Sequence, residues 1–243
     1  MAICNESVSA MRASTPSSQP TLYMRPLPFT LHALDSDTGR RHFAEGLLDG
    51  SMASYFRLAQ QFHTQSDPAY CGLGSLVCAL NGLGIDPARA WKGPWRWFSE
   101  ELLDCCKPLE EIRRLGVSLD EVACLARCSG SDVMIHRPGF EYGVERFRAH
   151  VIESSTREEA PVLIVNYSRQ TLGQTGDGHF SPIGGYHAGS DRVLVLDTAR
   201  FKYPPHWIPV ELLFAAMQAQ DAATGLPRGW LGLKARAQRS GTP

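Results

Sequence analysis

The sequence has no basic excess, no long apolar run and no hydrophobic signal core. Its 24 Lys and Arg residues are matched by 25 Asp and Glu residues, for a formal net charge of −1. Because nucleic acids and anionic membrane surfaces recruit basic patches, we expect neither as a partner. No apolar stretch approaches the roughly 18 residues that a membrane-spanning helix needs. The N-terminus also lacks the apolar segment of a secretory signal.

Cysteine is scarce and odd in number. The seven residues are Cys4, Cys71, Cys78, Cys105, Cys106, Cys124 and Cys128. An odd count fits poorly with a fully paired secreted framework. We therefore expect a cytoplasmic, reducing location, in which thiols serve as nucleophile, metal ligand or core residue.

Two pairs of cysteines are candidate metal ligands. Cys105 and Cys106 are adjacent, and Cys124 and Cys128 lie one turn apart on a predicted helix. Four such thiols would suit a soft ion such as Cd²⁺, Zn²⁺ or Cu⁺, although the spacing is not that of a C-x-x-C zinc pair. The alternative, which we favour from the sequence, is that they are small buried hydrophobic residues.

No internal repeat or long linker divides the chain. Residues 1–25 are predicted to be a disordered leader, because the first twenty are rich in Ser and Thr and lack apolar periodicity. An organelle-targeting segment stays open as an alternative, since acidic residues are scarce there. Residues 26–236 are predicted to form one catalytic domain, followed by a flexible tail at 237–243.

Helical patterns fill the first half and strand patterns the second. In Cys71–Leu83 the apolar residues recur at helical spacing, and Gly84 follows where a helix should end. Further helices are predicted near 41–50, 99–115, 118–128 and 144–154. Strands are predicted at 161–167, 179–186, 192–197 and 230–235, with a hairpin turn at 187–191. This order predicts an α+β fold, with a helical N-terminal half packed on a largely antiparallel sheet in the C-terminal half.

Cys71 is the candidate nucleophile. It stands in the first turn of its helix, where unpaired backbone N–H groups and the helix dipole favour thiolate over thiol. Any single cysteine can instead be structural, and we assign Cys78, on the apolar face of the same helix, to the core. Gln65, six residues before Cys71, is a candidate oxyanion-hole donor; its alternative is a solvated loop glutamine.

His179 and Asp197 are candidates for the base and for the acid that orients it. They stand on the two predicted strands of one hairpin and should lie roughly opposite each other, about 5 Å apart. An aspartate there can hold an imidazole in one tautomer and stabilise its charged form. The alternative is that both are polar residues at the surface.

Four sequence blocks resemble the signature blocks of the phytochelatin synthases. They are QSDPAYCGL at 65–73, WKGPWRWF at 91–98, GHFSPIGGY at 178–186 and DTARFKYPPHW at 197–207. The similarity runs from about Phe29 to Leu233. Several long blocks in order form a far more specific signal than one short motif.

The resemblance implies a papain-like fold and a set of roles. The family pattern puts the nucleophile on Cys71, the base on His179, the orienting acid on Asp197 and the oxyanion donor on Gln65. It also implies donor contacts at Asn166 and Arg228 and acceptor contacts at Arg200 and Lys202. Solvated or salt-bridged surface cations are the alternative for these. Gly178 is a further candidate, because a glycine beside Asp177 lets the backbone approach a ligand.

The implied reaction is γ-glutamylcysteine transfer through a Cys71 thioester. Glutathione is the donor, glutathione or a phytochelatin the acceptor, and glycine the leaving group. No tightly bound cofactor is implied, since Cd, Zn or Cu ions act mainly as glutathione thiolates that are themselves substrate. A homodimer is compatible with the family.

Two other functions compete with this one. The first is a peptidase that releases γ-Glu-Cys from glutathione or its S-conjugates. The second is a non-catalytic thiol protein that binds metal, against which the dilute cysteines argue. Plant-type relatives carry a further cysteine-rich C-terminal domain that the given sequence does not include, so the chain is either a short form, like the bacterial ones, or a fragment. We therefore expect metal-dependent polymerisation to be reduced or differently controlled.

Overall fold

The computed structural model describes residues 22–237. Residues 1–21 of the predicted leader and 238–243 of the predicted tail lie outside the described residues. Where the description begins, the backbone N–H groups of Met24 and Arg25 donate to the carbonyls of Phe201 and Lys202. This part of the predicted leader therefore runs beside the segment that follows Asp197.

Seven α-helices and seven strands are present in residues 22–237. The helices are α1 (Asp37–Leu48), α2 (Ala53–Ala59), α3 (Cys71–Gly82), α4 (Leu109–Leu115), α5 (Leu119–Cys128), α6 (Val144–Thr156) and α7 (Val210–Gln218). The strands are β1 (His32–Ala33), β2 (Ser131–His136), β3 (Val162–Ser168), β4 (Gly178–His187), β5 (Arg192–Val195), β6 (His206–Pro209) and β7 (Gly229–Ala235). Short 3₁₀ turns occupy Glu100–Leu102 and Ala188–Ser190.

The strands form one sheet in the order β1-β6-β5-β4-β3-β7-β2. Every neighbouring pair is antiparallel. The predicted α+β class and the β4–β5 hairpin are confirmed. The nucleophile candidate heads a helix, and the base candidate lies on the sheet against which that helix packs, as expected of a papain-like arrangement.

Strand β3 is buried along its whole length because helices cover both faces of the sheet. Val162 and Ile164 belong to one core, which α3 and α5 complete. Leu163 and Val165 point the other way, into a second core with α6 and α7. This alternation follows from the two-residue period of a strand.

The helix of the candidate nucleophile forms as predicted. It ends at Gly82, and Gly84 follows with φ +65°, the left-handed conformation that glycine adopts at helix ends. Cys78 lies on its buried face, as assigned, with no exposed surface. No helix in residues 22–237 has the length and apolarity required to cross a bilayer.

The predicted helix at 99–115 is wrong. The chain makes only a 3₁₀ turn at Glu100–Leu102 and resumes as α4 after Pro108. Proline has no N–H to donate and clashes with the preceding turn, so a helix can start after it but not run through it. The interruption leaves Cys105 and Cys106 in an irregular segment.

Strands β1, β2 and β6 and helices α2 and α7 were not predicted. For α7 a signal was available, because Val210, Leu213, Phe214 and Met217 recur at helical spacing and all are buried. Strand β6 is only four residues long, too short for its own periodicity to reveal it.

Helix α5 starts with a capping box, which generates a first prediction. The Ser118 hydroxyl accepts from the N–H of Glu121 at 3.3 Å, and the Glu121 carboxylate accepts from the N–H of Ser118 at 2.7 Å. We expect Ser118→Ala to lower the free energy of unfolding by about 1 kcal/mol. Ser118→Thr should retain most of it, as measured by urea denaturation; equal losses in both variants would contradict the cap.

Candidate active site

Cys71 is the first residue of α3 and opens onto a cleft beside the end of β3 and the start of β4. The side chain is half-buried, and the backbone N–H groups of Phe180 and Gly72 point at its sulfur. Phe180 follows His179 on β4, so this contact brings the thiol to the start of the strand that carries the base candidate.

Burial raises the pKa of the Cys71 thiol above its ordinary value. The N–H of Phe180 and the positive charge of Arg169 act in the opposite direction but do not overcome burial. The expectation that the helix terminus would favour the thiolate is therefore wrong for this state of the protein. The resting group at neutral pH is the thiol, and catalysis requires a base to remove its proton.

His179 and Asp197 meet as predicted, though not as paired strand residues. The β4–β5 pairing stops at Ile183 and Val195, and both residues lie beyond it. Their side chains close the gap, with His179 Nε2 at 2.8 Å from Asp197 Oδ1. Because a carboxylate only accepts, Nε2 carries the proton and Nδ1 is left to act as the base.

The imidazole of His179 is neutral at rest. Burial, together with the charge of Arg169, lowers its pKa to about 4 against the opposing pull of Asp197. Within residues 22–237 no hydrogen bond joins the Cys71 thiol to this ring. The neutral thiol and neutral base can therefore exchange a proton when a substrate brings them together.

Arg169 is a third member of this group, paired with Asp197, and it was not predicted from the sequence. This buried guanidinium donates to both carboxylate oxygens of Asp197, at 3.0 and 2.8 Å, and to Gln174 Oε1 at 2.6 Å. Burial would raise the pKa of the Asp197 carboxyl, but the hydrogen bond that His179 donates and the charge of Arg169 hold it well below its usual range. An arginine one residue past a strand carries no signal of such a partner.

Gln65 is buried beside this cluster, but its amide is already engaged. Its Nε2 group donates to the carbonyls of Asp67 and Pro68 at 2.9 and 3.1 Å, and its Oε1 accepts from Thr198 at 3.1 Å. In this state Gln65 braces the loop that leads to Cys71. Its role as an oxyanion donor stays a prediction.

The cleft beside Cys71 has a volume of about 660 Å³, and its lining is about as polar as it is apolar. The two predicted donor contacts, Asn166 and Arg228, line it, and so does Gly178, the further candidate for ligand approach. The buried Arg228 guanidinium donates to Asn166 Oδ1 at 3.2 Å and to Asp177 Oδ2 at 3.1 Å. Its Nε, also buried, has no partner among the described residues.

Arg200 and Lys202, the predicted acceptor contacts, are not among the residues that line this cleft. The Arg200 guanidinium lies 5.2 Å from the ring centroid of Phe62, and the Lys202 ammonium lies 6.0 Å from that of Tyr203. Two other cations, Lys107 and Arg114, line the cleft instead.

The four remaining described cysteines form two disulfides, Cys105–Cys128 and Cys106–Cys124. Their interpretation as buried hydrophobic residues is wrong, because Cys105, Cys124 and Cys128 are exposed. The sequence hypothesis of a four-cysteine cluster is supported in one respect, since the two pairs do converge. Cys4 lies outside the described residues.

One further group could in principle hold a metal ion, namely His42, Glu45 and His187. There the backbone N–H of Ser190 donates to His187 Nδ1 at 3.2 Å, so that His187 Nε2 carries the proton accepted by Glu45 at 2.7 Å. A ring whose outward nitrogen is protonated is not a metal ligand. This cluster is a hydrogen-bond network.

The family model for phytochelatin synthase matches residues 22–230. Glutathione gamma-glutamylcysteinyltransferase 3 of Lotus japonicus is 52% identical over 212 residues, which cover 86% of this chain and 44% of that protein. Glutathione gamma-glutamylcysteinyltransferase 1 of Arabidopsis thaliana is 50% identical over 213 residues, covering 87% and 43%. The enzyme of the same name from Schizosaccharomyces pombe is 44% identical, covering 88% and 51%. The chain thus spans about half the length of these curated relatives.

Among solved structures, a double glycine motif protease from an AMS/PCAT transporter, in complex with the leader peptide, aligns with a TM-score of 0.44. The sequence identity is 19%, and the alignment covers 72% of this chain and 90% of the other.

Arg169 supplies a prediction that separates charge from packing. Removing its charge in Arg169→Met should raise the pKa of His179, which Arg169 and burial together hold at about 4. The measurement is the rate at which an amide-like acylating substrate modifies Cys71, as a function of pH. Because only the neutral imidazole can act as the base, we expect the fall of this rate on the acid side to move to higher pH. In Arg169→Lys the fall should stay near that of the native protein.

The same two variants, Arg169→Met and Arg169→Lys, also test the contribution of Arg169 to the free energy of unfolding, as measured by urea denaturation. Because Arg169→Met leaves the buried Asp197 carboxylate without its two-fold partner, unfolding should become easier by about 3–5 kcal/mol. Arg169→Lys should lose less. An acid-side fall that does not move in Arg169→Met, in protein shown to be folded by circular dichroism, would contradict the electrostatic role.

Proposed function

The chain belongs to the phytochelatin synthase family, and from that premise we propose that it transfers γ-glutamylcysteine from one glutathione to another glutathione or to a phytochelatin, releasing glycine. One observation carries the proposal. The Cys71 thiol lines a cleft together with the buried cation Arg228, and Phe180, which follows His179 of the buried His179–Asp197 dyad on β4, lines the same cleft. The arrangement suits acyl transfer from a small peptide that carries both a carboxylate and an ammonium group.

In the first step His179 Nδ1 takes the proton of the Cys71 thiol, and the sulfur attacks the carbonyl carbon of the Cys–Gly amide. The oxyanion lies at the N-terminus of α3, where unpaired backbone N–H groups stabilise negative charge. Gln65 joins them if its amide turns away from the loop. The protonated His179 then gives its proton to the glycine nitrogen, which leaves as the amine, and a thioester remains on Cys71.

In the second step the thioester is resolved by the α-amine of the acceptor. His179 Nδ1 takes a proton from the attacking nitrogen, the C–S bond breaks, and the thiol of Cys71 is restored. Asp197 holds the ring throughout and stabilises its charged form. Water in place of the amine would give γ-Glu-Cys, which is the peptidase reaction.

The γ-glutamyl end of glutathione carries an α-carboxylate and an α-ammonium group. Arg228 offers a guanidinium for the carboxylate, and Asp177 and Asp221 lie within salt-bridge distance of that guanidinium, at 3.1 and 3.7 Å. Either carboxylate can receive the ammonium group. The proposal therefore assigns this end of the cleft to the donor.

The acceptor is assigned to the other side of the cleft. Lys107, just before α4, and Arg114, within α4, line it there, and they can pair with the carboxylates of a second glutathione. We propose them in place of Arg200 and Lys202. Soft metal ions enter this scheme as glutathione thiolates, that is, as part of the substrate, and the proposed location is the glutathione-rich cytoplasm.

The first test is mass spectrometry of protein and products after incubation with glutathione and Cd²⁺. Native protein should acquire a γ-glutamylcysteinyl adduct on Cys71 and yield products extended by γ-Glu-Cys units, while Cys71→Ser should do neither. Release of γ-Glu-Cys and glycine without extended products would favour the peptidase. Identical behaviour of the native protein and Cys71→Ser would refute the assignment of Cys71 as the nucleophile.

Gly178 tests the donor pocket. A Cβ at this position would overlap Nη1 of Arg228 and come within 3.0 Å of its Cζ. The far end of a long side chain can move, so Gly178→Ala should displace the guanidinium without unfolding the protein. We expect KM for glutathione to rise roughly tenfold, as for the loss of one charge-assisted hydrogen bond, with kcat much less affected.

The matched control is Gly139→Ala, because nothing lies within 4 Å of a Cβ there. It should leave both KM and kcat unchanged. A fall in kcat alone in Gly178→Ala would instead place this residue beside the reacting atoms.

A further inference from the structure

Three buried polar side chains form a hydrogen-bonded chain that leads away from the candidate active site. They are Arg169, Gln174 and His206, and each is at most 4% exposed. Arg169, which holds Asp197, lies with its Nη1 at 2.6 Å from Gln174 Oε1. Gln174 Nε2 lies 3.0 Å from His206 Nε2, and His206 Nδ1 lies 2.8 Å from the carbonyl of Pro204.

This chain of side chains allows one arrangement of protons. A guanidinium only donates, so the Gln174 atom that faces Arg169 must be the oxygen, and the amide nitrogen faces His206. A backbone carbonyl only accepts, so His206 carries a proton on Nδ1, where it meets Pro204. His206 Nε2 is thereby left without a proton and accepts from the Gln174 amide.

We propose that neutral His206, with its proton on Nδ1, is a positioning residue for Arg169. It fixes the orientation of the Gln174 amide, and the amide oxygen in turn holds the guanidinium on Asp197. His206 lies on β6, opposite Val195 of β5, and is not among the residues that line the cleft. The inference rests on the proposed function only in the roles of Cys71 and His179, and not in the identity of the substrate.

A second proton on His206 is incompatible with this arrangement. A protonated Nε2 would face the Gln174 amide nitrogen, so that two donors would meet. If the amide turned over to present its oxygen to His206, its nitrogen would face Arg169, which also only donates. Burial lowers the pKa of His206, and the charge of Arg169 acts in the same direction against the opposing effects of Asp197 and the Pro204 carbonyl. The ring is therefore held in its neutral form.

The backbone keeps the first two members of the chain together. The N–H of Gln174 donates to the carbonyl of Arg169 at 2.8 Å, and the N–H of Thr175 donates to the Tyr203 hydroxyl at 2.9 Å. The ring centroid of Tyr203 lies 5.0 Å from Cζ of Arg169. With the backbone held in this way, the two side-chain partners of Gln174 decide which way its amide points.

The proton arrangement is tested by ¹⁵N NMR of the histidine rings, assigned residue by residue, because the two neutral tautomers and the imidazolium have distinct spectra. In the native protein we expect His206 to be neutral, with its proton on Nδ1, between about pH 6 and 8. In Gln174→Glu we expect the imidazolium at neutral pH, since a carboxylate accepts both from Arg169 and from a protonated His206 Nε2. A native ring protonated on Nε2 would overturn the proposal.

The effect on the site is tested by the rate at which iodoacetamide alkylates Cys71, measured against pH by mass spectrometry of the Cys71 peptide. Gln174→Met removes both side-chain hydrogen bonds and loosens Arg169 from Asp197. We expect the fall of the rate on the acid side to move up by about one pH unit, in the direction expected for Arg169→Met. In Gln174→Glu it should stay near that of the native protein, because the carboxylate still accepts from Arg169 and the proton on His206 offsets the added charge.

The matched control is Gln170→Met, the same chemical change at an exposed position four residues earlier. Its profile should equal that of the native protein. A merely structural Gln174 would make Gln174→Met and Gln174→Glu alike, and that result would overturn the proposal, as would an unmoved profile in folded Gln174→Met. Where Gln174→Met fails to fold by circular dichroism, the tautomer of His206 in the native protein decides. Alkylation needs no glutathione, so failure of the proposed transfer and failure of this inference are separate results.

Discussion

The contact between Asp197 and its two partners, His179 and Arg169, governs the site. All three side chains are buried, and a lone charge in that position would cost several kcal/mol. Arg169 supplies the countercharge in a two-fold hydrogen bond, so the carboxylate can stay ionised within the core. Because it is ionised it must accept from His179, and that requirement fixes the tautomer of the base.

The same burial determines the resting state of the nucleophile. Burial lowers the pKa of His179 to about 4, and the positive charge of Arg169 acts in the same direction by offsetting the negative charge of Asp197. The Cys71 thiol, with its pKa raised by burial, has no imidazolium to pair with. The thiol of Cys71 and the imidazole of His179 are therefore both uncharged in this structure.

Around this neutral pair the cleft is built from charged residues on different elements. Arg228 lies just before β7, Asp177 just before β4, and Lys107 in the irregular segment between a 3₁₀ turn and α4. Different local features hold these residues in place. Arg228 fills the space that Gly178 leaves free. The segment that carries Lys107 is joined to α5 by the disulfides of Cys105 and Cys106.

The sequence by itself determined the α+β class, the helix that starts at Cys71, the hairpin and the approach of His179 to Asp197. These follow from local periodicity, helix-terminus chemistry and the order of long matching blocks. Helix α5 was predicted at 118–128, whereas the prediction of a helix at 99–115 is wrong because Pro108 interrupts it.

Only the tertiary structure decided which side chains come into contact across long stretches of the sequence. Arg169 and Asp197 are 28 residues apart, and no periodicity encodes a contact over that distance. The sequence suggested that the thiol of Cys71 would be ionised, because it shows the helix terminus but not the burial that outweighs it. It likewise placed four cysteines in two pairs without showing that they converge, since only the packing of α5 against the segment before α4 brings the sulfurs together.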